Sequence, residues 1–487
     1  MSHQDKMSDS IVNHQVIKQV VDWLFPPALF STMKTCGGAT WKPRMLVVAG
    51  LLWGCSGKGN LTDRFEQARK IVRKVFHWQP PPGATYQGFT KMLHKWHAQL
   101  MLAVVPDVQV KMKEVLPGQW EIAGYVVYAA DGSRIELART EALEAFYSPQ
   151  RKKQRKKKNK TGGRGRKNAA KLKAGFKRRA ARKQSAEAVE KKVNSPQMWL
   201  TLVWHVGRGL PWSWQTGPSD SSERDHLVEM LSKLPENSLI TADAGFVGYD
   251  FWKAILDAKH KFLIRVGGNV KLLKKLGYVR ESSGTVYLWP DKAAKKKQPP
   301  LALRLIVVHN GKHPVYLVTN LPKSKLSDRQ AAAIYSARWG IELFFRTFKQ
   351  TFGRRKLRSR CPNNAKLEID WSLLALWCIC LLAQRELVNS GQSPSSLSPV
   401  SAIKAFQDIL HDWRVRPENR GQSLCIRLRG ALLDHYERTS SKTSRNYPRK
   451  KKEHKHTGPP KLFSARKQQV TAAKELKRQK YEIQLTA

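Results

Sequence analysis

The apolar periodicity of this chain changes at Gly124, which restricts it to a helical segment followed by a layered α/β region. Before that point Val12–Phe25, Pro43–Trp53, Leu61–Phe76 and Tyr86–Val104 each repeat apolar residues at three-and-four spacing, the pattern of one-sided helices. Phe25-Pro26-Pro27, Cys36-Gly37-Gly38 and Pro80-Pro81-Pro82-Gly83 break them apart. After Gly124 the runs Tyr125–Ala130, Trp199–Val206 and Leu210–Thr216 are β-rich, the last two joined in hairpin fashion by Gly207-Arg208-Gly209. The pattern then predicts a helix over Ser222–Leu234, a strand over Ser238–Ala242, a helix over Tyr249–Ala258 and a strand over Lys261–Val266. Further β-structure is expected at Thr285–Trp289, Leu301–Val308 and Pro314–Thr319, followed by a long helix from Asp328 to about Phe352 and helices at 365–388 and 400–413. Three strands, a helix, a strand and a later helix make the skeleton of an α/β layered domain, interrupted by a β-rich insertion.

These shifts divide the 487 residues into a helical N-terminal domain (1–118), an α/β domain (119–360), a helical C-terminal region (361–435) and a basic tail (436–487). Inside the α/β domain lie a basic insertion (151–193) and the β-rich one (270–322). Eighteen of the 33 residues from Arg151 to Lys183 are Lys or Arg and none is acidic. Self-repulsion and the scarcity of apolar residues make this run an unstructured arm. The whole chain carries a formal charge of +51, with 88 Lys and Arg against 37 Asp and Glu. So large an excess points to a polyanion partner, nucleic acid first among them. A membrane surface is disfavoured, because the longest apolar run, Leu373–Ala383, is about half the ~20 residues a bilayer needs and reads as a buried helix. MSHQDKMSDS lacks the charged and apolar regions of a secretory signal. The six cysteines form no CxxC pair, and His94 and His97 have no accompanying ligands, so buried thiols are expected and zinc is not.

The chemistry is expected on the helix around Glu342. At about 100° per residue, Tyr335, Arg338, Glu342, Arg346 and Lys349 fall along one edge, and Ile334, Ile341, Phe345, Phe348 and Phe352 form a separate apolar stripe. A single acid within a basic edge is unusual for a solvated face. Two aspartates follow strand-like runs, Asp131 after Tyr125–Ala130 and Asp243 after Ser238–Ala242. In layered α/β domains functional groups gather beyond the carboxyl ends of strands. Two such acids and one on a packed helix can converge into a hard-oxygen site suited to Mg2+, two of which clamp the oxygens exchanged at a phosphodiester.

Tyr335-x2-Arg338-x3-Glu342-x6-Lys349 resembles, position for position, the signature of bacterial insertion-sequence DDE transposases of the insertion sequence 4 family. The segments YAADGS and TADAGF are similar to that family's surroundings of its first two catalytic aspartates, and LTDRFEQ and TYQGFTK resemble it more weakly. The resemblance implies an RNase H-like catalytic core with a β-rich insertion between Asp243 and Glu342. It implies Asp131, Asp243 and Glu342 as catalytic, metal-binding residues for two Mg2+ ions, with Mn2+ as a substitute. Tyr335, Arg338 and Lys349 would contact DNA phosphates, with Arg346 on the same edge. The expected partners are double-stranded DNA, both terminal inverted repeats and target, and a second copy of the chain, in a bacterial cytoplasm and at the nucleoid. Trp289, in Tyr-Leu-Trp-Pro, is a candidate to stack on a displaced base. A two-metal nuclease of resolvase type, or a non-catalytic DNA-binding descendant, would share parts of this pattern.

Overall fold

One-sided apolar stripes need a partner, and in the computed structural model the helices on either side of the α/β region supply it to one another. The structure describes residues 17–35, 38–57, 59–115, 118, 120–148, 196–309, 313–415, 424–433 and 458–486. The basic run 151–183 lies outside the described residues. The first helices are 17–24 (α1), Pro43–Cys55 (α2), Leu61–Val75 (α3) and Tyr86–Val115 (α4). Asn60 caps α3, its side chain accepting from the Thr62 N–H at 2.9 Å. α4 continues past Val104 and through Pro106. Leu100, Val104, Val108 and Met112, four apart, are all buried, so the stripe carries the helix across the proline.

The α/β region then contributes β1 (Val127–Glu136), α5 (Glu141–Tyr147), β2 (Gln197–His205), β3 (Leu210–Gly217), α6 (Glu223–Met230), β4 (Leu239–Ala242), α7 (Tyr249–Asp257) and β5 (Lys261–Val266). The insertion holds β6 (Lys271–Lys274), β7 (Thr285–Leu288), α8 (Asp291–Lys295), β8 (Leu301–Val308) and β9 (Val315–Thr319). Beyond it come α9 (Asp328–Ala337), α10 (Trp339–Arg346), α11 (Pro362–Asn389), α12 (Pro399–Val415), α13 (Leu424–Arg429), β10 (Lys461–Ser464) and α14 (Lys467–Thr486). All ten strands join one sheet in the order β10-β6-β7-β8-β9-β5-β4-β1-β2-β3. β1, β2 and β3 are antiparallel neighbours, and β4 and β5 run parallel to β1. This is the RNase H-like arrangement, and the insertion extends it through β9, which pairs antiparallel with β5.

The basic tail, whose sequence shows no clear core pattern over about 440–480 and is expected to be mobile, departs from that expectation at residues 461–464. Lys461–Ser464 pairs parallel with Lys271–Lys274, fastened by the Lys461 N–H to the Val270 carbonyl (2.9 Å) and the Ala465 N–H to the Lys274 carbonyl (2.8 Å). All four residues of β10 are exposed, so no alternation in the sequence marks it as a strand. Trp289 also corrects its expectation. It is 4% exposed, and its indole N–H donates to the Gln298 carbonyl at 2.8 Å, which makes it part of the insertion's core rather than a platform for a base.

α11 is long and apolar enough to cross a membrane, but its most apolar stretch is wholly buried in protein. It lies against α2 so closely that a Cβ on Gly50 would sit 2.6 Å from the Trp371 ring, and one on Gly54 2.5 Å from the Trp371 carbonyl oxygen. Arg64 of α3 reaches Glu368 of α11 at 3.1 Å, with both side chains buried. Glu368 also accepts from the Ser359 N–H (2.9 Å) and hydroxyl (2.8 Å). Cys55, Cys378 and Cys380 are buried free thiols.

Candidate active site

Strand alternation decides which side of the sheet each group faces. Gly132 of β1 lies opposite Thr201 of β2, and Thr201 is hydrogen-bonded to His226 of α6 at 2.9 Å. A Cβ on Gly132 would meet the Glu223 side chain of α6 at 2.8 Å. α6 therefore covers the Gly132 face. Ala129 lies opposite Trp204, whose ring packs on Phe344 of α10 with centroids 4.9 Å apart. A Cβ on Gly340 would be 3.3 Å from the Trp204 indole nitrogen. α10 therefore covers the other face, and Asp131, two residues beyond Ala129, points to that side. Asp243 leaves the neighbouring strand at the same level, since Ala130 and Ala242 are the last paired residues of β1 and β4. The sequence suggested that β1 ends before Asp131. In fact it runs on to Glu136 through its pairing with β2, and only the β4 partner stops there.

The two aspartates are half-buried. Asp131 accepts from the Gly132 N–H at 2.9 Å, and Asp243 from the Gly245 N–H at 2.8 Å. Burial pushes the Asp131 carboxyl up to about 7; the Gly132 N–H opposes the rise, and Asp243 adds to it. Glu223, which the sequence reading passed over, is raised too, by burial and then by Asp243. Its only signal was its place in the first turn of a helix capped by Ser222.

The helix bearing the signature is not continuous. α9 ends at Ala337, α10 begins at Trp339, and Thr347–Thr351 form a π-helical turn. The first break adjoins Gly340, the residue Trp204 requires to be small, and such breaks collect at glycines and functional sites. The apolar stripe holds as expected, with Ile334, Ile341, Phe345, Phe348 and Phe352 all buried. Arg338 sits at the break, 7% exposed, its guanidinium 5.2 Å from the Tyr335 ring centroid and 2.9 Å from a Glu342 carboxylate oxygen. Burial works against its charge, but Tyr335, Glu342 and Asp131 outweigh it and hold the guanidinium above its ordinary pKa. Tyr335 is half-buried and raised by burial. Lys349, half-buried in the π turn, is lowered by burial and by Arg355 beside it, and Arg346 is exposed. A groove of about 320 Å3 opens beside these residues, lined by Arg265, Val308, Val315, Tyr335, Arg338 and Trp339. Trp339 is 56% exposed. The sequence reading missed it because an exposed tryptophan beside an apolar stripe looks like another core residue.

The donor chemistry suits a hard divalent cation, since Asp131, Asp243 and Glu342 offer only oxygens. Among the described residues, however, no three His, Cys, Asp or Glu side chains come together tightly enough to cage one. Glu342 is instead turned to Arg338.

A sequence model of the family described as "Transposase DDE domain" matches residues 123–378, more than half of the chain. The chain belongs to that family. Divalent-metal dependence comes with membership of the DDE transposase family. Over 170 residues the chain is 27% identical to "Transposase InsG for insertion sequence element IS4" of Escherichia coli, an alignment covering 33% of this chain and 38% of the relative. Over 184 residues it is 28% identical to "Putative transposase for insertion sequence element IS4SA" of Synechocystis, covering 37% of this chain and 50% of the relative. The matched region thus spans half or less of these relatives, and the names of both refer to insertion sequence elements of the IS4 type. Among solved structures, a piggyBac transposase synaptic complex with hairpin DNA aligns over 91% of this chain and 88% of its own, with 11% identity and a TM-score of 0.36.

Proposed function

We propose that this chain is a DNA transposase that cuts at the ends of a mobile element and joins them to target DNA. The observation that carries this reading is the placement of Asp131 and Asp243 at one level on adjacent parallel strands, on the side of the sheet that α10 covers with Glu342. Two Mg2+ ions, or Mn2+ in their place, held by these carboxylates would activate the attacking hydroxyl and steady the leaving oxygen. The chain's own cations do the positioning. Arg338, Lys349 and exposed Arg346 hold phosphates on either side of the scissile bond, and Tyr335 orients them. Trp339, rather than Trp289, is the aromatic that can meet an unstacked base. The N-terminal helices up to residue 118 read the terminal inverted repeats, and two copies of the chain hold the two ends together. The remaining positive charge draws the protein to the nucleoid.

The test uses duplexes carrying the DNA that flanks the coding sequence, incubated with the full chain with and without Mg2+. Metal-dependent nicking followed by joining is expected. Nicking without joining would assign a nuclease, and binding alone would assign a DNA-binding protein without chemistry.

A further inference from the structure

Among the described residues, Glu342 is the one member of the proposed triad whose carboxylate already has a cation partner within the chain. Its Oε1 accepts from Arg338 Nη2 at 2.9 Å. Arg338 is also acted on by the charge of Asp131, so one guanidinium stands in the field of two of the three carboxylates. It is held in place by burial and by the Tyr335 ring, while its Nε is buried with no partner among the described residues. Glu342, by contrast, has a side chain 31% exposed, so it can rotate without disturbing the stripe of Ile341 and Phe345 behind it. The carboxylate that would complete the cage is engaged elsewhere.

We propose that Arg338 is a latch linking DNA binding to assembly of the metal site. Without DNA it holds Glu342 away from the aspartates. A DNA phosphate arriving at the groove takes over the guanidinium, which suits phosphate at least as well as carboxylate because its fork of N–H groups matches either. Glu342 is then released toward Asp131 and Asp243. Until the substrate is seated, the site holds metal weakly and the chemistry is off. Coupling of this kind is reciprocal, so metal must tighten DNA by the same factor that DNA tightens metal. The proposal rests on the assignment of Asp131, Asp243 and Glu342 made above, and its test separates the two.

The experiment is calorimetric titration of Mn2+ into the full chain, alone and with a duplex that ends in the element's terminal repeat and a 3′-dideoxy nucleotide, which cannot be joined. In the wild-type chain the duplex should tighten Mn2+ binding by about tenfold, within the usual range of coupling between sites. Arg338→Gln should bind Mn2+ without DNA about as tightly as the wild type does with it, and the duplex should add little. Glu342→Gln, which leaves Arg338 in place, should match the wild type without DNA and lose the tightening. Equal affinity with and without duplex in the wild type overturns the latch, as does weaker DNA-free binding in Glu342→Gln. If instead Asp131→Asn and Asp243→Asn leave Mn2+ binding untouched, the site assignment itself is wrong.

Discussion

The helical scaffold and the catalytic face both bury charge, but they complete its partners to very different degrees. In the scaffold Arg354 is 2% exposed and donates to the Ser372 hydroxyl (2.8 Å) and to the carbonyls of Phe352 (2.9 Å) and Ser56 (3.0 Å). Burial brings it down to about 9, but every arm of the guanidinium is used. Burial alone would raise Asp370, yet His97, Lys366 and Trp214 hold its carboxyl below the usual range. On the catalytic face Asp131 has a single backbone N–H and is pushed up to about 7, and Glu342 has one arginine. A complete set of partners fixes a fold. An incomplete one leaves a group free to accept something from outside, which is why perturbed groups gather at functional sites.

The largest effect expected from this contrast is on catalysis. Asp131→Asn, Asp243→Asn or Glu342→Gln should each lower DNA cleavage by about a thousandfold or more, since metal-borne charge stabilisation is worth several kcal/mol. None of the three should lower the denaturant midpoint. Glu368→Ala should do the reverse by removing the buried carboxylate that Arg64 and Ser359 share, at a cost of about 3–5 kcal/mol in stability. Urea unfolding of the four variants checks this, and a Glu368→Ala chain as stable as the wild type would break the comparison.

The two tryptophans sharpen it on a smaller scale. Trp289→Ala empties a buried site and should cost about 3–5 kcal/mol of stability. Trp339→Ala removes an exposed ring and should leave unfolding unchanged while weakening binding to an end duplex by about 1–3 kcal/mol. Fluorescence anisotropy with labelled duplex reads the second effect. Reversed outcomes would return the base-stacking role to the insertion.

The remaining effect is on pH dependence. Asp131 in the folded chain titrates near 7, against an unfolded value of about 4. Between those values the folded state keeps a proton that the unfolded state has lost. Asp131 therefore favours folding below about pH 4, and that contribution is lost as pH rises through about 7. Without DNA or metal, the wild-type chain should lose clearly more stability over this window than Asp131→Asn does. Parallel thermal melts from pH 4 to 8 measure the difference, and identical slopes would mean that the carboxyl is not held neutral.

Much of this was legible in the sequence, for identifiable reasons. Strands with alternating or continuous apolar residues, such as Lys261–Val266 and Leu301–Val308, were placed where they lie, because local periodicity is enough to bury them. So was the apolar stripe of the helix around Glu342. The break at Arg338 was not, because it adjoins Gly340, which packs against Trp204 on a strand distant in sequence. The Arg64–Glu368 pair was illegible for the same reason, as its members are remote in sequence. Trp289 misled because a tryptophan before a proline reads equally well as exposed or buried, and only the Gln298 carbonyl settles it. At the site, the residue types and spacing singled out three carboxylates as candidates, but not that one of them would be turned toward an arginine.

β10 has a consequence for how the protein is made. It covers the outer edge of β6, yet it is drawn from far beyond every other strand of the sheet. While a nascent chain is still leaving the ribosome, β6 must show water an open row of N–H and C=O groups, the kind of edge on which neighbouring chains can pair. Lys271, Lys274 and Lys275 are exposed there, and charge of one sign discourages such encounters. Only the arrival of Lys461–Ser464 closes the edge, and it sets Lys461 directly beside Lys271. A chain broken off before Lys461–Ser464 thus carries an unfinished sheet guarded by lysines alone, and translation through this strand becomes a condition for a well-behaved product.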